Sequence, residues 1–148
     1  NHDMALKTNE ELVRIFKWFD GANDVEINQP LGGRINHSLD WSFQHLKLLR
    51  NDFILCLLHL DPRKSQKAGY PEELQFAKGF VESVLSRATV EFIVNELDLT
   101  IMLAQLETMP YGVDEIPIQT LITTDAIDMP AGFTHACLDK GYSTPFVT

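Results

Sequence analysis

The sequence feature that most constrains the fold is the apolar run from Phe53 to Leu60, within "RNDFILCLLHLDP". Between residues 39 and 60, apolar residues recur at alternating steps of three and four, which is the spacing of one helical face. Ser38 is a good N-cap, so the pattern predicts a helix over 38–60. The run is far shorter than the ~20 apolar residues that span a bilayer, so we expect a buried core segment and no contact with a membrane.

Three further segments have helical signals. Thr8 followed by Glu11 is the pattern of a capping box and predicts a helix just after Thr8. Pro71 suits the first turn of a helix and predicts one over about 71–88, with a break or kink near its end. The segment 89–109 has apolar residues on two opposite faces, which is typical of a helix packed between neighbours.

These segments predict an all-α fold, a helical bundle of four or five helices over about 8–110. Residues 111–148 are rich in proline and predict an irregular C-terminal extension, with "IQTLITT" as a short strand and "AGFTHACLDK" as a short helix. The extension is too apolar to be free in water, so it packs on the bundle or on a neighbouring subunit. The length of 148 residues predicts a single domain over 1–148.

The charge balance is acidic, with 21 acidic against 12 basic residues and a formal net charge of -9. Such a surface repels phosphate backbones, so the sequence predicts no binding to nucleic acid. An acidic surface is better matched to a basic protein partner. The two cysteines, Cys56 and Cys137, form neither a disulfide framework nor a zinc signature, and free thiols suit a reducing compartment. We therefore expect a cytoplasmic protein.

Glu91, Asn95 and Asp98 are spaced at i, i+4 and i+7 on the predicted 89–109 helix. Carboxylates that project from a bundle helix are typical ligands of Mg²⁺ or Mn²⁺. The set resembles the all-α nucleotide pyrophosphohydrolases, whose metal helices carry E-x-x-E and E-x-x-D pairs, although "NELD" has Asn95 in place of the first acid. One alternative is therefore a divalent-metal-dependent all-α hydrolase with Glu91 and Asp98 as metal ligands.

No complete catalytic constellation is visible, which favours a protein without enzymatic activity and without a cofactor. The function predicted is an acidic protein-interaction module, such as an inhibitor, an immunity-like protein or an adaptor. Its basic partner would contact Glu91, Asp98, Asp114 and Glu115 through electrostatic steering. A further alternative is a self-assembling structural protein, a homo-oligomer whose C-terminal extension docks on the neighbouring copy.

Overall fold

The computed structural model describes residues 6–30, 32–50, 69 and 71–144. Within these ranges the elements run in the order α1 (Asn9–Trp18), β1 (Asp24–Val25), α2 (Phe43–Leu46), β2 (Ser83–Val84), α3 (Arg87–Glu96), α4 (Thr100–Leu106), α5 (Pro117–Thr123) and α6 (His135–Asp139), with 3-10 turns at Val113–Glu115 and Asp125–Ile127.

The first helix begins as the sequence predicts. The Thr8 hydroxyl accepts a hydrogen bond from the Glu11 N–H at 3.2 Å, and the Glu11 carboxylate accepts one from the Thr8 N–H at 2.9 Å. Each side chain thus satisfies a backbone donor that the helix leaves unpaired. This capping box confirms the predicted start of α1.

Strand pairing brings distant parts of the chain together. Strands β1 and β2 pair antiparallel, with Asp24 opposite Val84 and Val25 opposite Ser83. The pairing continues beyond the sheet as isolated bridges, which join Ile27 to Thr144, Asn28 to Lys78, Ser42 to Glu73 and Leu49 to Leu97. The segment after α1 therefore pairs both with the middle of the chain and with its C-terminal part.

The predicted helix over 38–60 is wrong for the part that the structure describes. Only α2 is helical there, and Ser42 rather than Ser38 caps it, accepting from the His45 N–H at 3.3 Å. Lys47 ends α2 with a positive φ of 51°. Leu48 and Leu49 follow α2 and are buried, although they are not helical. Their spacing is therefore the same as that of a helical face, without a helix. Residues 51–60, including the apolar run, lie outside the described residues.

The predicted helix over about 71–88 is also wrong. The chain is extended here because its backbone groups bond to other segments, from Leu74 N–H to the Trp41 carbonyl at 3.2 Å and from Ala77 N–H to the Thr120 hydroxyl at 3.3 Å. Leu74 and Ala77 are buried, so tertiary contacts account for the apolar positions that suggested a helix. The predicted break near residue 86 coincides with the start of α3.

The predicted helix over 89–109 is divided into α3 and α4 at Leu97, whose backbone is extended with ψ 143°. Two hydrogen bonds to the segment after α2 stabilise this interruption. The Arg50 N–H donates to the Glu96 carbonyl at 2.9 Å, and the Asp98 N–H donates to the Leu48 carbonyl at 2.7 Å. These bonds replace helical ones, and they place Leu97 in the core with 1% exposure.

The C-terminal part of the chain belongs to the core. The segment "IQTLITT" lies in helix α5 rather than in the predicted strand, whereas α6 confirms the short helix predicted in "AGFTHACLDK". Three of its apolar side chains are almost wholly buried, namely Leu121, Ile127 and Leu138. Thr144, further along, pairs with Ile27 through an isolated antiparallel bridge. An irregular extension outside a bundle is therefore the wrong description of this region.

Helices and paired strands thus share one apolar core, and the predicted all-α bundle is wrong. The core draws on the segment after α1, on α2 and the residues that follow it, and on α4 to α6. Among the described helices, none has the length and apolar character that crossing a bilayer requires. The single domain over 1–148 stays a prediction.

Candidate functional site

Glu91 lies on the exposed surface of α3. Its Oε1 atom is 2.7 Å from Arg87 Nε, in an ion pair one helical turn apart. The hydrogen bond and the charge of Glu91 raise the pKa of Arg87. Both side chains are largely exposed, at 90% for Arg87 and 55% for Glu91, so the pair contributes little to the stability of the fold.

Asp98 has a different role, at the start of α4. Its Oδ1 atom accepts hydrogen bonds from the Thr100 hydroxyl at 2.6 Å and from the Thr100 N–H at 3.0 Å. These bonds hold the pKa of the Asp98 carboxyl below its ordinary value. Because Leu97 interrupts the helix between them, Glu91 and Asp98 do not share one helical face. No group of three or more His, Cys, Asp or Glu side chains suited to a metal is found in the described ranges.

Asp114 and Glu115, the other two predicted site residues, lie in the 3-10 turn that precedes α5. Asp114 is exposed to solvent. The side chain of Glu115 is 35% exposed, and its Oε2 atom accepts a hydrogen bond from Arg34 Nη1 at 2.8 Å. The turn therefore presents one free carboxylate and one carboxylate that is held in place.

Arg34 forms the centre of this arrangement, which we call the Glu115 site: Arg34, Tyr111, Gly112 and Glu115. Its Nη2 atom donates to the Gly112 carbonyl at 2.7 Å, and its guanidinium carbon lies 5.3 Å from the centre of the Tyr111 ring. The Arg34 side chain is only 5% exposed. Every other arginine and lysine among the described residues is half-buried or exposed. A buried guanidinium needs such partners, because an unpaired charge is costly to bury.

Gly112 makes the close approach of Arg34 possible. Its φ of 66° is in the left-handed region, which a residue without a Cβ adopts at little cost. A Cβ at this position would overlap Nη2 and Cζ of Arg34. Both the backbone angle and the space around it therefore require glycine.

The backbone around Glu115 is anchored by the segment before β2. The Gly79 N–H donates to the Glu115 carbonyl at 3.0 Å, and the next N–H, of Phe80, donates to the Glu26 carboxylate at 3.1 Å. Gln119, one turn after Glu115, donates from Nε2 to the Phe80 carbonyl at 2.7 Å. Residues 79 and 80 thus link the turn that carries Glu115 to Glu26 and to α5.

The arrangement leaves one oxygen of Glu115 able to react. Arg34 holds Oε2, while Oε1 has no hydrogen-bond partner within the part of the chain that the structure describes. Glu26 differs, because Asn28 Nδ2 bonds its Oε1 at 2.6 Å and the Phe80 N–H bonds its Oε2. A carboxylate that is fixed on one side and open on the other can accept a proton from a bound hydroxyl group.

The sequence predicts Glu115 as a partner-binding residue, and it gives no indication of the residues that hold it in the structure. Arg34 follows the pair Gly32-Gly33, which the sequence marks only as a turn. Its contact with Glu115 joins residues 81 positions apart, and a single sequence contains no signal of such a pairing. The available signal was Gly112, because a glycine just before a pair of acids suggests a special backbone position.

Residues 1–143 match the family model described as "Branch: Core-2/I-Branching enzyme". The chain belongs to this family. No curated protein and no solved structure is significantly similar to the chain. Members of the Core-2/I-branching enzyme family are glycosyltransferases, and their fold is normally α/β.

Family membership corrects the functional predictions. The chain does not belong to a class of non-enzymatic acidic interaction modules, and the alternatives of an all-α hydrolase and of a self-assembling structural protein are wrong as well. The absence of a recognised catalytic constellation in the sequence was therefore a misleading argument against an enzyme. A basic protein partner, an oligomer formed through the C-terminal part, and a cytoplasmic location stay predictions.

Proposed function

We propose that the protein is a glycosyltransferase that adds a sugar to a hydroxyl group of a glycan and so creates a branch. The observation that carries this proposal is the family match over residues 1–143, which includes all four residues of the Glu115 site. The geometry around Glu115 is compatible with the proton transfer that such a reaction needs.

The proposed reaction uses a nucleoside diphosphate sugar as donor. The acceptor hydroxyl oxygen forms a bond to the anomeric carbon of the donor, and the bond between that carbon and the phosphate oxygen breaks. The nucleoside diphosphate leaves with the electron pair of the broken bond. The proton of the acceptor hydroxyl passes to Oε1 of Glu115, which acts as general base.

Two features support Glu115 in this role. The ion pair with Arg34 fixes the direction of the carboxylate, and a base must lie within hydrogen-bond reach of the proton that it removes. The side chain is 35% exposed, so a substrate hydroxyl can reach it. Asp114, next to it, is exposed and is not held by Arg34.

The experiment incubates the purified protein, in its full natural length, with a panel of nucleoside diphosphate sugars and oligosaccharide acceptors. We expect mass spectrometry to detect an acceptor that has gained one sugar residue, together with free nucleoside diphosphate. Linkage analysis should place the new sugar on an internal residue as a branch. If no donor in a complete panel yields a glycosylated acceptor, the proposed function is wrong.

A further inference from the structure

Arg34 is buried at a place where the fold gives it two acceptors. Nη1 donates to the Glu115 carboxylate at 2.8 Å and Nη2 donates to the Gly112 carbonyl at 2.7 Å. One guanidinium thus bridges the first residue before the 3-10 turn and the last residue of that turn. Only a planar group with several fixed donors can make both bonds at once.

Because Arg34 is buried, we do not expect it to bind the substrate directly. Its side chain is 5% exposed, and its Nε atom is enclosed without a hydrogen-bond partner among the described residues. A substrate phosphate therefore has no access to the guanidinium while Tyr111 and Gly112 cover it. The charge acts on the substrate only through Glu115.

We propose that Arg34 is a positioning residue, which clamps the turn Val113–Glu115 and thereby aims the Glu115 carboxylate at the acceptor hydroxyl; this rests on the proposed function. The clamp consists of the two hydrogen bonds of Arg34 together with the ring of Tyr111. This arrangement also requires glycine at position 112, because a Cβ there would displace the Arg34 guanidinium.

The test is a double-mutant cycle in kcat with Arg34→Ala, Glu115→Gln and the double variant. We expect Arg34→Ala to lower kcat by about 100-fold, the cost of misplacing a reacting group by about 1 Å, with little change in the KM of the donor. In the Glu115→Gln background the same substitution should change kcat little, because the base that Arg34 aims is already absent.

Arg34→Lys is measured in the same cycle, and it serves in place of the alanine variant if that variant fails to fold. Lysine restores a positive charge but cannot make both bonds in one plane, so we expect a kcat between those of the wild type and of Arg34→Ala. Gly112→Ala keeps the arginine but displaces it, and it should lower kcat as well. Gly21→Ala is the matched control, because Gly21 has a φ of 83° and nothing within 4 Å of a new Cβ.

Two results would overturn the proposal while the wild type remains active. One is an equal loss of kcat on removing Arg34 with and without Glu115, since Arg34 would then act independently of the base. The other is a large rise in the donor KM at unchanged kcat, which would make Arg34 a substrate-binding residue. An inactive wild type, in contrast, would overturn the proposed function itself, and the positioning role with it.

Discussion

The hydroxyl group of Thr89 contacts three other polar groups, and the residue is fully buried. It lies 2.9 Å from Ser86 Oγ, 2.9 Å from Asn23 Oδ1 and 2.8 Å from the Pro130 carbonyl. The start of α3 is thereby tied both to the segment after α1 and to the segment before α6. Such a network stabilises the fold only while each buried polar atom has a partner.

We expect Thr89→Val to lower the free energy of unfolding by about 1 kcal/mol, because it removes the hydrogen bonds that the buried hydroxyl makes with Asn23 Oδ1 and the Pro130 carbonyl. Urea unfolding followed by circular dichroism gives the value. The control is Val90→Thr, an adjacent change at a side chain that is 42% exposed, which should alter stability by no more than about 0.5 kcal/mol. Equal effects of the two substitutions would contradict the role assigned to the network.

The Asp98 carboxyl should make the stability of the fold depend on pH. Its hydrogen bonds with Thr100 lower the pKa of the carboxyl in the folded state, so the ionised form stabilises the start of α4. This contribution is present above the ordinary carboxyl pKa of about 3.9, and it is lost as the pH falls through the lower folded value. In Asp98→Asn, whose amide oxygen can still accept the hydrogen bonds from Thr100 but which does not titrate, stability should depend less on pH below about 4. NMR titration that found the Asp98 pKa at or above the ordinary value would refute this.

At the scale of elements, the capping box was read correctly, whereas Ser38 as an N-cap, Pro71 as a helix start and the apolar spacing gave wrong predictions. The capping box of Thr8 and Glu11 predicts α1 because both partners lie within one turn. Leu49 pairs with Leu97, which divides the helix expected over 89–109 and keeps the residues after α2, up to residue 50, out of the helix expected over 38–60. Leucines that a tertiary pairing buries can have the same spacing as a helical face, and periodicity alone does not separate the two.

The pairing at Leu97 supplies a prediction for the junction of α3 and α4. Leu97 is 1% exposed, so Leu97→Ala should lower the free energy of unfolding by about 2–5 kcal/mol through the cavity that it leaves. Val94→Ala, on the same helix at 61% exposure, should change it by no more than about 0.5 kcal/mol. Thermal and urea unfolding measure both variants. A cost at position 97 no larger than at position 94 would show that the junction is not a core contact.

The residues of the Glu115 site differ in how well they could be predicted from the sequence. Glu115 was predicted from its charge as a residue that contacts a basic partner, and its role in catalysis is a proposal that rests on the family match and on the contact with Arg34. Arg34 and Gly112 were not predicted, because their role depends on how the segment after α1 folds against the start of α5. The contact that supports the proposed role of Glu115 therefore could not be predicted from the sequence.

For the whole molecule, net charge leads to a prediction about partners but not to one about catalysis. A charge of -9 predicted a basic partner, yet it describes solubility and long-range steering rather than fold or catalysis. The family match spans residues 1–143 and so covers both ends of the pairing between Arg34 and Glu115. The activity of the protein is therefore better inferred from its family and from the ion pair between Arg34 and Glu115 than from its average charge.

The most direct test of the central claim compares the rate of sugar transfer by Glu115→Gln with that by Asp114→Asn. Both substitutions remove one carboxylate from the same 3-10 turn, but only Glu115 is held by Arg34. If Glu115 is the general base, its substitution should lower kcat by about 10²- to 10⁴-fold, while Asp114→Asn should keep kcat near that of the wild type. Equal rates for the two variants would contradict the account.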